Sequence, residues 1–256
     1  MDFFRALGRS DWLRRYGRSW HSGDGSSGYV RHTANEGQIL KTMSKICGIN
    51  TDAALNAALV GGADYIGLVF FAKSPRNVTL DQASALAKQA RGRAGIVALT
   101  VDASDAALTD IIHHVSPGVF QLHGHETPER AAEIGRRYGR SVWKALPVET
   151  AADAEHAFAY LKADPDIAIL FDAKAPKGSP LPGGNGLAFD WRALDTVKGR
   201  LPFMLSGGLT PENVAGAIRL TSPALVDVSS GVESRPGVKD PARIGAFLKA
   251  VRNAGG

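Results

Sequence analysis

The chain has one cysteine, Cys47, in 256 residues. No disulfide can form within it, which excludes a cross-linked extracellular scaffold. No apolar run approaches the roughly 18 residues that a membrane-crossing helix needs, so no membrane partner is expected. Cysteine and histidine nowhere take the paired spacing of a structural zinc site, so no metal is expected. No G-x-G-x-x-G follows the first apolar run, which removes the dinucleotide-binding fingerprint. Positive charge is also scarce on the main body. The net charge is +5, and residues 1–43 alone hold seven Lys/Arg against four Asp/Glu. The remainder is nearly balanced, so charge gives no reason to expect nucleic acid. At 44% apolar and 21% charged, the chain has the make-up of a soluble protein that buries a sizeable core. A cytoplasmic setting is expected.

Residues 1–43 differ from the rest. "DFFRALGRSDWLRRYGRSW" sets Leu13, Tyr16 and Trp20 at helical spacing, and "HSGDGSSG" after it has linker composition. The stretch lacks the continuous apolar core of a secretory signal, and its acids weigh against a transit peptide. A second methionine, Met43, precedes the first strand. We therefore expect a flexible N-terminal extension, or an upstream start, over 1–43 and a catalytic domain over 44–256.

From residue 44 onward, short β-branched and apolar runs alternate with helical stretches. The runs are "KICGI" (45–49), "DYIGLVF" (64–70), "GIVALTV" (95–101), "VFQLH" (119–123), "SVWKALPV" (141–148), "IAILFDA" (167–173), "FMLSGG" (203–208) and "LVDVSSG" (225–231). Such runs suit strands covered on both faces of a parallel sheet. Helix starts are marked by Asp52, Thr79, Ser104, Thr127-Pro128, Thr150 and Thr210-Pro211, and "DPARIGAFLKAVRN" closes the chain. Eight strands with intervening helices fit a (β/α)₈ TIM barrel, and the doubly wound open sheet is the rival.

Barrel sites form at the C-terminal strand ends. Those positions hold Cys47, Arg76 of "KSPR", Asp102, His123, Asp172, Ser206-Gly207-Gly208 and Ser229-Ser230-Gly231. The last two groups follow strands seven and eight, where small residues let loop amides approach a phosphate. Asp172, at the mouth of an apolar barrel, is suited to general-acid work if burial raises its pKa; the alternative is a cap or ion-paired aspartate. Arg76 is a bidentate carboxylate clamp or a surface arginine. Cys47 is a thiolate base or a packing residue, and Lys45 with nearby amides could lower its pKa. "KAPKGSPLPGGNG" (174–186) is long and glycine-rich enough for a lid over the site.

"KICGI", "GLVFFAKSPRNV", "VFQLHGHE", "ILFDA", "GGNGLAFDW", "LSGGLTPENV" and "VDVSSGVESRPGVKD" together resemble the phosphoribosylanthranilate isomerase family, in family order across residues 45–240. The resemblance implies an Amadori rearrangement in tryptophan biosynthesis on a small phosphosugar substrate, with no cofactor. It implies Asp172 as general acid at the ribose ring oxygen and Cys47 as general base at C2′. Arg76 would hold the anthranilate carboxylate, and Gly207, Gly208, Ser229, Ser230 and Gly231 the 5′-phosphate. His123 would be a further active-site residue. A monomer or homodimer is compatible. The rivals are another phosphate-binding barrel sugar isomerase and a non-catalytic barrel.

Overall fold

The computed structural model describes residues 41–175, 178, 183–184 and 189–254. The expected basic helix and linker, and most of the expected lid, fall outside these residues. Eight parallel strands close into one barrel in chain order. They are β1 (Met43–Cys47), β2 (Tyr65–Phe70), β3 (Gly95–Thr100), β4 (Val119–Leu122), β5 (Ser141–Val148), β6 (Ala168–Ala173), β7 (Phe203–Leu205) and β8 (Leu225–Val228). Pairing of β1 with β8 completes the ring and sets Lys45 opposite Asp227. The open-sheet rival is thereby excluded.

The helices are α1 (Asp52–Val60), α2 (Leu80–Ala90), α3 (Asp105–Val115), α4 (Pro128–Tyr138), α5 (Ala151–Glu155), α6 (Ala157–Ala163), α7 (Val214–Thr221) and α8 (Pro241–Ala254). Thr79, Ser104 and Thr127 cap as expected, each side chain accepting from the amide three residues on. Thr150 and Asp153 form a capping box.

Four expectations shift. Met43 belongs to β1, and the strand ends at Cys47 because Gly48 turns left-handed at φ +78. The α1 cap is Thr51, with Asp52 inside the first turn. The stretch after Thr150 tightens at His156, whose amide donates to Asp153 three residues back, and this splits α5 from α6. Thr210-Pro211 forms a turn, and α7 begins only after Asn213, whose Oδ1 accepts from the Thr210 amide at 2.8 Å. Between β6 and β7 the described residues hold only a 3₁₀ turn, Trp191–Leu194.

Alternate strand residues point to opposite sides of the barrel wall. Ile46, Ile66, Leu68, Phe120, Ile169, Phe171 and Val226 face outward and bury against the helices. Each such side chain contributes about 1.5–3 kcal/mol. The inward set floors the barrel with Met43, Tyr65, Val97, Val119, Trp143, Leu170, Met204 and Leu225. Tyr65 and Trp143 meet there edge to face, with ring centroids 5.0 Å apart. Above this plug polar residues turn inward, Lys45, Gln121 and Asp227, then His123 and Asp172, with Cys47 packed against apolar Val69 and Leu99. The change in chemistry along the barrel axis is what places the site.

Candidate active site

An open cavity of about 800 Å³ lies over the polar layers. Cys47, Arg76, His123, Asp172 and all of Gly207, Gly208, Ser229, Ser230 and Gly231 line it. All the strand-end residues named from the sequence except Asp102 therefore face one space. Asp102 does not; it holds the His125 backbone amide at 2.6 Å beside the mouth.

Cys47 ends β1 and is buried, with Lys45 two residues back on the same face. Gly67 stands opposite Cys47 in the β1–β2 register. A Cβ at Gly67 would lie 2.9 Å from Cys47 Sγ and 3.0 Å from Lys45 Cε, so the missing side chain makes room for both groups. Lys45 Nζ donates to Asp227 Oδ2 at 2.7 Å inside the barrel. Burial pushes the Cys47 thiol up, and the nearby Lys45 ammonium opposes this without overcoming it. Lys45 does lower the thiol pKa, as expected, but not below its ordinary value. The ammonium is beside the sulfur, but the dry barrel outweighs it.

Asp172 is the penultimate residue of β6, which β7 and β8 separate from the strand of Cys47. Its Oδ1 accepts from the Ala173 amide at 2.8 Å, and its Oδ2 lies 3.1 Å from His123 Nε2. His123 Nδ1 in turn lies 3.3 Å from Gln121 Nε2. As oriented, Gln121 donates to Nδ1, so Nε2 carries the proton and faces the carboxylate. Gln121 Oε1 is buried without a hydrogen-bond partner. With the amide turned over, Nδ1–H donates to Oε1 and Nε2 accepts from a protonated Asp172. The two arrangements differ by one proton, and only the second, with Nδ1–H on Gln121 Oε1, lets a proton pass between Asp172 and Nε2.

Arg76 is buried beneath the loop after β2, and its Nε and Nη2 donate to Glu233 at 2.7 and 2.9 Å. The surface-arginine alternative is thereby excluded. Glu233 also accepts from Lys239 Nζ at 2.7 Å. These cations hold its carboxyl at about 2, although burial alone would raise it.

After β7, Gly207 and Gly208 both take positive φ, at +86 and +63. A Cβ at Gly207 would fall 2.4 Å from the Ala173 amide nitrogen, so only glycine fits. Among the described residues, the amides of Gly207, Gly208, Ser230 and Gly231 donate to no protein acceptor. They are four free donors on one rim, at neighbouring strand ends. Of the stretch 174–186, Gly183 and Gly184 are described and lie against Asp172 and Arg76.

Residues 44–250 match a family model described as N-(5′-phosphoribosyl)anthranilate isomerase. The chain belongs to this family. A relative of that name from Rhodopseudomonas palustris is 55% identical over 213 residues, covering 81% of this chain and 94% of that protein. One from Mesorhizobium japonicum is 54% identical, covering 82% and 95%. The solved phosphoribosyl anthranilate isomerase of Thermotoga maritima has a TM-score of 0.74 at 34% identity, covering 83% of this chain and 99% of that one. A solved structure of the enzyme with reduced 1-(o-carboxyphenylamino)-1-deoxyribulose 5-phosphate scores 0.72 at 32% identity, with the same coverage.

The sequence reading missed Gln121, Glu233, Lys239 and Asp227 as parts of the site. For Lys45 and Asp227 a signal existed: single charges inside apolar strands, on the first and last strands of a ring that must close. Glu233 and Lys239 carry no such signal, since Arg76 is 157 residues from Glu233 in sequence.

Proposed function

We propose that this chain carries out its family's reaction, the Amadori rearrangement of N-(5′-phosphoribosyl)anthranilate to 1-(2-carboxyphenylamino)-1-deoxyribulose 5-phosphate in tryptophan biosynthesis. The observation that carries the reading is the single cavity shared by Cys47, Arg76, Asp172 and the two phosphate-loop ends. Asp172 delivers its proton to the ribose ring oxygen as the C1′–O bond breaks, leaving an iminium. Cys47, as thiolate, removes the C2′ proton, and the electron pair flows to C1′ and nitrogen to give the enolamine. That species tautomerises to the ketone. One carbon is oxidised and its neighbour reduced within one molecule, so no external redox partner enters the balance. The acid and the base stand on different sides of the mouth, as attack at two ends of one ring requires.

Arg76 holds the anthranilate carboxylate. The rim amides of Gly207, Gly208, Ser230 and Gly231, with Ser229 beside them, hold the 5′-phosphate. His123 relays a proton from solvent to Asp172 through Nε2, while its Nδ1–H donates to Gln121 Oε1 and Cys47 releases the proton it took to solvent. Among the described residues no helix is long and apolar enough to cross a membrane; a cytoplasmic location is part of the same reading. A monomer or homodimer fits too, and a solved Thermotoga maritima relative is described as dimeric.

The test is a turnover assay following loss of the substrate's anthranilate fluorescence. Conversion of phosphoribosylanthranilate supports the reading. Turnover only of a different phosphoribosyl aminoaldose would favour another barrel isomerase, and no turnover of either would leave a non-catalytic barrel.

A further inference from the structure

Glu233 opens β9 (Glu233–Arg235), which pairs antiparallel with β10 (Val238–Lys239). Arg76 lines the cavity, and Glu233 stands behind it outside the lining. The Glu233 carboxylate receives four donors. Oε1 takes Arg76 Nε and Lys239 Nζ, each at 2.7 Å. Oε2 takes Arg76 Nη2 at 2.9 Å and the Gly237 amide at 3.2 Å. A carboxylate has about four acceptor positions, so none is left for a ligand. The hairpin itself is fixed. Asn50 Nδ2 donates to the Gly237 carbonyl at 3.0 Å, and a Cβ on Gly237 would fall 2.5 Å from the Pro75 carbonyl oxygen.

A guanidinium offers two donor edges, Nε with Nη2 and Nη1 with Nη2. Glu233 consumes the first. The second Nη2 donor reaches the Gly184 carbonyl at 3.3 Å. Among the described residues Nη1 has no hydrogen-bond partner, and the Gly184 backbone lies close enough that a Cβ there would sit 2.6 Å from it. Charge follows the same pattern. Two cations, Arg76 and Lys239, share one anion, Glu233, which leaves one positive charge.

We propose that Glu233 is a positioning residue that clamps Arg76 by its Nε–Nη2 edge, presents the Nη1 side to the cavity, and so sets the enzyme's selection for a phosphoribosyl arylamine whose ring bears a carboxylate. The proposal rests on the carboxylate role given to Arg76 above. It separates orientation from charge. Removing Glu233 adds net positive charge to the site, which alone would strengthen binding of any anion. Loss of orientation instead weakens binding of the carboxylate-bearing ring specifically.

The experiment measures competitive inhibition by two compounds, the reduced product 1-(o-carboxyphenylamino)-1-deoxyribulose 5-phosphate and its phenylamino counterpart without the carboxylate. The ratio of their inhibition constants reads carboxylate selection. In the native enzyme the carboxylate compound should bind at least about tenfold tighter, as for a hydrogen bond to a charged group. Glu233→Gln should reduce that ratio by about tenfold. Glu233→Asp, which keeps the charge but is one methylene shorter, should do the same. Binding of the phenylamino compound should change less than about threefold in both, because its phosphate contacts lie elsewhere. If Glu233→Gln does not fold, Glu233→Asp decides. A native ratio in the Glu233 variants, alongside a collapsed ratio in Arg76→Ala, would overturn the clamp while sparing the Arg76 reading. An unchanged ratio in Arg76→Ala would remove that reading, and the clamp with it.

Discussion

Replacing Lys45 with methionine tests the barrel's internal ion pair. Lys45 is fully buried, and its Nζ lies 2.7 Å from Asp227 Oδ2. Methionine keeps most of the volume and removes the charge. It leaves Asp227 as a buried carboxylate whose other oxygen, Oδ1, already has no hydrogen-bond partner. Removing one member of a buried pair costs about 3–5 kcal/mol, because the remaining ion is uncompensated. Replacing both, as Lys45→Met with Asp227→Leu, should cost far less, since apolar side chains of similar volume often stand in for a buried pair. The pH dependence has a definite sign. Burial pulls the Lys45 pKa down, but Asp227 and Cys47 together raise it above 10.5. Its stabilisation is therefore complete below that value and is lost only as pH rises through the folded-state pKa. Equilibrium urea unfolding followed by circular dichroism should show a gap between native and Lys45→Met that is flat from about pH 6 to 9. A loss under about 1 kcal/mol, or a double variant as unstable as the single one, would refute the reasoning.

Glu233 has the opposite pH signature. Its carboxyl is depressed from 4.5 to about 2, so it stabilises above the unfolded-state value and loses that contribution as pH falls toward the folded one. The native advantage over Glu233→Gln, on the order of 3 kcal/mol near neutrality, should shrink as pH drops below about 4.5; a gap constant to pH 3 in acid titration would contradict this. Alkylation of Cys47 by iodoacetamide should be slow near neutrality and accelerate through the alkaline range, since burial raises the thiol; a rate independent of pH would place the thiol elsewhere. Gly231→Ala puts a Cβ 1.8 Å from the Leu209 carbonyl oxygen. It should therefore spread the two phosphate loops and raise KM by about tenfold or more; unchanged steady-state kinetics would show that these amides do not hold the phosphate. A chain beginning at Lys41 retains the Thr42 Oγ1 bond to the Pro223 carbonyl and the Met43 amide bond to Ala224. It should match the full chain in melting temperature and kcat/KM, and a large drop in either would show that residues 1–40 pack on the barrel.

The ring of strands was legible because each strand is covered on both faces, which leaves near-continuous apolar runs in the sequence. Their ends were less so. Gly48 stops β1 by its backbone angle, and nothing in "KICGI" separates Cys47 from Ile49 by hydropathy. The α1 cap was misplaced by one residue because Thr51 and Asp52 are both good capping residues; the hydrogen bond from the Ala54 amide decides between them. Cys47, Arg76, Asp172 and the glycine pairs could be found at strand ends, since barrel topology alone sends those ends to one mouth. The pairing of their supports could not, even where, as for Lys45 and Asp227, single charges in apolar strands mark the residues themselves. The Lys45–Asp227 pair spans 182 residues and the Arg76–Glu233 fork 157, and both exist only once the ring closes. The thiol's direction of shift was misjudged for a related reason. The ammonium beside it was visible in "SKIC", whereas the dryness around it is a property of the whole barrel.

The central claim is that Cys47 and Asp172 act as base and acid across one cavity. The most direct measurement compares kcat/KM for phosphoribosylanthranilate in the native enzyme, Cys47→Ser and Asp172→Asn, with inhibition by the reduced product as a binding control. Each substitution should lower kcat/KM by about 10²–10⁴-fold, as expected for loss of a proton-transfer group. Each should leave inhibition by the reduced product within about tenfold of native, because the phosphate and carboxylate contacts persist. Near-native turnover in either variant would contradict the account.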